Sequence, residues 1–215
     1  MLFDGKHQKN LTKIVAIVAI VAFLGFGLVA GFLAVGGGGC GTTDPLQQAV
    51  SDAQTSVRQG KTAVANAKKA LKQSPGNAQS KKDLEQAQSD LGQAQITLAQ
   101  ARLAVNHQDP EALSSALAAA KSAPGNLDVV LGLVTVATTQ SNPAAALPAL
   151  QAYTSRNPRD SQAYAYWGQV AEQAGQRNQA ILAYQRFLQL APDDTLAADI
   201  RNRLADLSKP VTTTG

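Results

Sequence analysis

The sequence is poor in the residues on which most catalytic and metal sites depend. Its 215 residues include one cysteine and two histidines, and aromatic residues make up 5% of the chain. It contains no HExxH, GxSxG, phosphate-binding GKS/T or paired-cysteine motif, and its carboxylates are spread along the chain. A metal site would need a cluster of His, Cys or carboxylate ligands that the sequence does not offer. We therefore expect no catalytic, cofactor-binding or metal-binding residues and no enzymatic activity.

The chain also lacks the concentrated basic charge typical of a nucleic-acid-binding domain. The net charge is +4, and residues 1–13 contribute three lysines against one acid, so the remainder is nearly neutral. One basic run stands out in the middle of the chain and consists of Lys61, Lys68, Lys69, Lys72, Lys81 and Lys82. We interpret this run as a solvated helix face, with anionic lipid headgroups or an acidic envelope polymer as the alternative partner. We expect no nucleic-acid partner.

A single long apolar run, residues 14–35, has no charged side chain. It is long enough to cross a bilayer as a helix, and it exceeds the apolar stretch of roughly 7–15 residues usual in a cleaved signal peptide, the alternative. Basic residues precede it in 1–13, whereas none follows before Arg58. The positive-inside rule therefore predicts a single-pass cell-membrane protein with a cytoplasmic N-terminus (1–13) and an extracytoplasmic remainder.

The lone cysteine, Cys40, lies in a glycine-rich linker, residues 36–44. A cysteine just after an apolar segment resembles the lipidation site of bacterial lipoproteins, although Gly37 stands where those sites place an aliphatic residue. A free thiol and an intermolecular disulfide are the alternatives to lipidation. Gly27 and Gly31 form a GxxxG pair, a pattern that supports dimerisation of membrane helices.

Residues 45–92 combine a composition rich in Ala, Gln, Lys and Ser with a regular pattern of small apolar residues. Two stretches place these residues at alternating steps of three and four, the spacing of a heptad seam. The first seam is Leu46, Val50, Ala53, Val57, Gly60, Val64, Ala67 and Leu71, and the second, which runs past residue 92, is Leu84, Ala87, Leu91, Ala94, Leu98, Ala101 and Val105. The turn residues 74–77 separate them. We predict an antiparallel helical hairpin that resembles a coiled coil, with an oligomeric coiled coil as the alternative.

A 34-residue period runs through the C-terminal part of the chain. Three prolines repeat at this interval (Pro124, Pro158 and Pro192), and so do three alanines (Ala112, Ala146 and Ala180). The pattern is fullest in residues 161–194, with Tyr164, Trp167, Gly168, Gly175, Ala180, Tyr184, Phe187 and Pro192. In period and framework the sequence resembles the tetratricopeptide repeat (TPR) family, in which each unit is a helix–turn–helix.

Two further units match less fully. Residues 127–160 keep Leu133, Ala146, Leu150, Tyr153 and Pro158, but Ser141 replaces the turn glycine and Pro148 predicts a second helix that is bent or begins late. Residues 93–126 form a degenerate unit in which His107 takes the turn position, where we expect a left-handed backbone. A polar-faced capping helix, 195–207, and a tail, 208–215, complete a chain that we predict to be all-α.

The TPR resemblance implies a groove lined by the first helix of each unit. Its lining would be Asp128, Leu131, Thr135, Thr138 and Thr139 in the middle unit and Gln162, Ala165, Gln169, Glu172 and Gln173 in the last, with Asp199 and Arg203 added by the capping helix. This lining is mostly uncharged and lacks the Lys, Arg and Asn clamp of the TPR proteins that bind chaperone tails. It fits an extended or helical protein segment better than a charged peptide.

The order of the parts is similar to that of bacterial membrane-anchored TPR proteins of the cell envelope. Some of those proteins accompany the secretion translocon, and others coordinate envelope assembly. The resemblance implies a non-enzymatic scaffold that binds a protein or peptide ligand at the membrane. The alternative is a self-assembling structural protein, a homo-oligomer formed through the membrane segment and the hairpin.

Overall fold

The computed structural model describes residues 44–209, and this part of the chain is all-helical, as the sequence predicts. It contains α1 (Pro45–Gln73), α2 (Ala78–Val105), α3 (Pro110–Ser122), α4 (Leu127–Thr139), a 3₁₀ turn (Pro143–Ala146), α5 (Leu147–Arg156), α6 (Ser161–Gln173), α7 (Arg177–Leu190) and α8 (Ala197–Ser208). No helix in this range is long and apolar enough to cross a membrane. The predicted membrane segment (14–35), its glycine pair and Cys40 lie outside the described residues.

Helices α1 and α2 pack against each other as a hairpin. Asp44 and Asn77 cap their N-termini, each accepting a hydrogen bond from a backbone N–H two residues on (3.0 and 2.8 Å). Five buried seam residues form a small apolar cluster between the helices, Ala53, Val57, Val64, Leu91 and Leu98. At Gly60 an added Cβ would lie 3.2 Å from the Leu91 Cα, so the missing side chain lets the helices approach closely.

Helix α2 runs without a break from the hairpin into the first repeat unit. Its C-terminal part presents a second apolar face, and Ile96, Ala99 and Leu103 are buried in the larger core of the repeats. Gly132 of α4 sits against Ile96 so closely that an added Cβ would fall 2.5 Å from a side-chain carbon. One helix therefore contributes to both apolar clusters.

The helix boundaries of the repeat region recur at 34 residues. Helices α4 and α6 begin at Leu127 and Ser161 and have the same length, and α3, α5 and α7 end at Ser122, Arg156 and Leu190. The three periodic alanines, Ala112, Ala146 and Ala180, are all fully buried. The period in the sequence is therefore also a period in the helices.

The turns that end α4 and α6 are built in the same way. Ser141 (φ 55°) and Gly175 (φ 69°) are the residues with a left-handed backbone in residues 44–209. After each of them a backbone N–H closes a Schellman motif, from Asn142 to the Ala137 carbonyl (2.8 Å) and from Gln176 to the Ala171 carbonyl (2.7 Å). His107, in the corresponding place after α2, has no positive φ, so the expectation of a left-handed backbone there is wrong.

Pro148 explains why α5 is short. The segment after the Ser141 turn begins as a 3₁₀ turn, and the α-helix starts only at Leu147, with Pro148 in its first turn. A proline there loses no helical hydrogen bond, because the first N–H groups of a helix have no partner within it. The late start predicted from Pro148 is confirmed.

Candidate peptide-binding groove

Helix α4 carries five of the expected groove residues on adjacent turns. Asp128 and Thr139, at its two ends, are exposed, whereas Leu131, Thr135 and Thr138 are half-buried. The Thr135 and Thr139 hydroxyls donate to carbonyls one turn earlier, at 3.1 and 2.9 Å. These two donors are already used, so α4 offers a ligand the Leu131 side chain, the Thr138 hydroxyl and, at its N-terminal end, the exposed Asp128 carboxylate.

Helix α6 carries the other five. Gln162 and Gln173 are exposed, whereas Ala165, Gln169 and Glu172 are half-buried. Gln162 makes a long hydrogen bond to the Tyr166 hydroxyl (3.4 Å). The Gln169 amide has no hydrogen-bond partner among residues 44–209. A half-buried amide with both donor and acceptor free is the group on this helix best suited to bond a peptide backbone.

Glu172 is engaged within the fold and is not a free groove residue. Its Oε2 accepts a hydrogen bond from the Tyr184 hydroxyl of α7 (2.8 Å) and pairs with the Arg203 guanidinium of α8 (2.9 Å). Burial, together with the charge and hydrogen bond of Glu172, raises the pKa of Tyr184, and Arg203 partly offsets this. The cluster joins three helices, so Glu172 positions α8.

A second tyrosine–carboxylate pair joins α5 to the start of α6. The Tyr153 hydroxyl donates to Asp160 (2.8 Å), whose other oxygen caps α6 by accepting from the Ala163 N–H (3.1 Å). Burial of Tyr153 and its bond to Asp160 raise the pKa of its hydroxyl to about 12, with a smaller contribution from Asp128. The charge of Asp128, an expected groove residue, therefore also helps to raise the pKa of Tyr153.

The aromatic residues of the last unit lie mainly in the core. Tyr184 and Phe187 are fully buried, and Tyr164 packs against Trp167 with ring centroids 6.1 Å apart. Tyr166 is half-buried on α6, between Gln162 and Gln169 on the same face. The buried indole N–H of Trp167 has no hydrogen-bond partner in the described part of the chain.

Within residues 44–209 the sequence-predicted groove residues fall into two sets. The available set is Gln162, Ala165, Gln169 and Gln173 on α6 with Asp128, Leu131 and Thr138 on α4. In the other set, Glu172 is bonded to neighbouring helices, and the Thr135 and Thr139 hydroxyls are bonded to backbone carbonyls of α4. No group of three or more metal-ligating side chains occurs in this range. The part played by Tyr184 was missed from sequence, because nothing in its spacing pairs it with Glu172 and Arg203.

Comparison with known proteins adds no relative. No protein-family model matches the chain, and no curated protein matches it significantly.

Proposed function

We propose that this protein is a non-enzymatic scaffold of the TPR type, tethered to a bacterial membrane and binding a protein segment in the groove formed by its first helices. The observation that carries the proposal is the 34-residue recurrence of helix ends, of the left-handed turn residues Ser141 and Gly175, and of buried alanines. Stacked units of this kind commonly present a binding surface for another polypeptide.

The chemistry of the surface favours a ligand that is itself mostly uncharged. The available groups are the Gln162, Gln169 and Gln173 amides, with Leu131 and Ala165 as apolar patches. Glu172 is neutralised by Arg203. Amides that can donate and accept suit the backbone of an extended or helical segment.

The tether in this proposal is residues 14–35, with the groove on the extracytoplasmic side. Confinement to a membrane raises the effective concentration of the groove near membrane-bound partners. A moderate intrinsic affinity is then sufficient for capture. Envelope assembly and secretion are the processes in which such a scaffold would act.

Self-assembly through the hairpin is less well supported. An oligomeric coiled coil would need the seam leucines Leu84, Leu91 and Leu98, but Leu91 and Leu98 are each 7% exposed against their own chain and Leu84 is half-buried. The seam is thus used within the molecule.

In-cell photo-crosslinking and purification of the anchored protein would test the groove. We expect specific membrane or secretory partners that are lost when Gln162 and Gln169 are both replaced by lysine, because an amide both donates and accepts hydrogen bonds whereas an ammonium group only donates. The matched control replaces Gln151 and Gln185, exposed residues of α5 and α7, by lysine. Equal partner sets from both variants, or recovery of the protein alone, would overturn the groove.

A further inference from the structure

The outer part of the hairpin has a charge imbalance that the groove does not use. Residues 53–82 contain seven basic side chains and no acidic one, namely Arg58, Lys61, Lys68, Lys69, Lys72, Lys81 and Lys82. The other described residues contain nine basic and fourteen acidic side chains. Residues 44–209 are therefore polarised, with an excess of positive charge on the outer part of the hairpin and an excess of negative charge elsewhere.

These basic side chains are free to meet a partner. All seven are exposed, and none forms an ion pair within residues 44–209. Arg58, Lys61, Lys68 and Lys72 follow steps of three, seven and four, so they share one face of α1. Arg58 and Lys61 also border an open depression of about 280 Å³ whose apolar lining is Val57 and Leu98.

Most of these bases lie beyond the point where the repeats contact the hairpin. The first residue of α2 that hydrogen-bonds to the repeats is Ser89, which accepts from the Asn126 side chain (2.6 Å), and close packing follows at Gly92 and Ile96. Five of the seven bases lie between residues 68 and 82, on the turn side of Ser89. Residues 68–82, here called the tip, thus lie beyond the repeats, which do not cover their charge.

We propose that this basic tip docks on the anionic headgroups of a lipid bilayer. Each lysine or arginine near an anionic surface strengthens binding about fivefold. Residues 58–82 contain no aromatic side chain, Val64 is buried and Leu71 is half-buried in the hairpin, so nothing on the tip is suited to insert into the acyl chains. The contact is therefore peripheral, electrostatic and sensitive to salt.

Among possible anionic partners of the tip, the proposed membrane segment of the same chain favours a lipid bilayer. Residues 36–43 separate the proposed membrane segment from Asp44, and eight residues span at most roughly 30 Å. The 29-residue helix α1 is about 43 Å long, which exceeds this span, so the proposed tether does not prevent the tip from contacting the bilayer surface. This local-concentration argument rests on the proposed anchor, whereas the charge complementarity does not.

The test uses the full chain with Cys40→Ser and a fluorophore on Gly76→Cys, a turn position where a Cβ meets no atom within 4 Å. Protection of the fluorophore from acrylamide, a neutral quencher, is compared on phosphatidylcholine vesicles with and without phosphatidylglycerol. We expect protection only with phosphatidylglycerol, and its loss in about 1 M salt, where the screening length is about 3 Å. Flotation with the neutral vesicles is a separate readout that reports the anchor, so the two proposals fail independently.

Charge variants provide the controls. Lys68→Glu with Lys72→Glu should weaken the phosphatidylglycerol-dependent protection at least about 25-fold, because two attractive charges become repulsive. The matched pair Lys121→Glu with Arg159→Glu changes exposed residues outside the tip and should leave it unchanged. The neutral pair Lys68→Gln with Lys72→Gln should give an intermediate loss.

Three results would overturn the proposal. The first is equal protection on neutral vesicles, and the second is an equal effect of the control pair. The third is protection by a soluble polyanion or by salt-sensitive self-association of the chain without any response to phosphatidylglycerol vesicles.

Discussion

Ser141 and Gly175 have the same left-handed backbone at equivalent turns, but only one of them is glycine. A side chain at such a position costs about 1–2 kcal/mol, whereas glycine gives up about 0.5–1 kcal/mol through the greater freedom of the unfolded chain. The two turns therefore support opposite predictions for the exchange of a single residue.

We predict that Gly175→Ala lowers the free energy of unfolding by about 1 kcal/mol, because alanine adds left-handed strain. Ser141→Gly should raise it by about 0.5 kcal/mol, since the strain relieved exceeds the entropy lost. Urea unfolding measures both. Gly125→Ala is the control, as its backbone φ is negative and a Cβ there meets no atom within 4 Å. A stabilised Gly175→Ala would contradict the assignment.

The two bonded tyrosines predict a loss of stability at alkaline pH. The pKa of Tyr153 rises from 10.0 to about 12 on folding, and that of Tyr184 also rises. A folded-state pKa above the unfolded value means that the contribution is full below pH 10 and is lost as the pH rises towards 12. We expect about 1–2 kcal/mol of pH-dependent loss per tyrosine over this window.

Chemical denaturation at a series of pH values tests this. Tyr153→Phe should flatten the dependence of the free energy of unfolding on pH between pH 10 and 12. The control Gln151→Ala, a change at an exposed residue that does not titrate, should not. An unchanged slope in Tyr153→Phe would show that Asp160 does not hold the phenol protonated.

At the scale of single elements, α8 depends on long-range polar contacts for its position. Arg203 pairs with Glu172, and Arg177 of α7 donates to the Lys209 carbonyl just past the helix end. Its apolar contribution is modest, with Ala197 and Ile200 buried and Leu204 half-buried. The bounds expected from the sequence, 195–207, are close to the observed Ala197–Ser208.

We predict that Arg203→Ala loosens α8 selectively. The half-buried ion pair is worth about 1 kcal/mol, so amide exchange in α8 should quicken several-fold while exchange in α4 stays unchanged. A double-mutant cycle with Glu172→Gln should return a coupling of about 1 kcal/mol. Asn202→Ala, an exposed neighbour, is the control. Additive effects would mean that the two residues do not act as a pair.

At the scale of the whole molecule, residues 44–209 contain two apolar clusters of unequal size that share α2. The hairpin cluster has five buried residues, whereas the repeat core extends from Ile96 to Ile200. Local stability follows the amount of buried apolar contact. The hairpin should therefore open more readily than the repeats.

We predict that Leu91→Ala speeds amide exchange throughout α1 without changing that of α6. Removal of this buried side chain costs about 2–4 kcal/mol in the hairpin, whose apolar cluster has only four other buried residues in the described part of the chain. Hydrogen–deuterium exchange with peptide resolution measures it. Gln93→Ala, on the exposed side of α2, is the control. Equal acceleration in α6 would mean that hairpin and repeats open as one cooperative unit.

Most of the secondary structure could be predicted from sequence, because residues at the helix ends specify where helices begin. The N-cap residues Asn126 and Asp160 and the proline at 148 mark helix starts through their own side chains and backbone, so they are readable in sequence. The roles of the groove residues were harder to predict from the sequence. Glu172 occupies a groove position by spacing, but its partners Tyr184 and Arg203 lie 12 and 31 residues away, and no local pattern joins them.

The sequence by itself determined the helical class and the 34-residue interval, because helix starts and stops depend on interactions within a few residues and the interval is the spacing at which these signals recur. Tertiary structure decided which side chains are free. It buried Leu91 and Leu98 of the seam within the chain, bonded Glu172 to Tyr184 and Arg203 and left the bases of residues 53–82 unpaired. Burial and ion pairing depend on atoms brought together from distant parts of the chain, and such contacts form only when the helices pack.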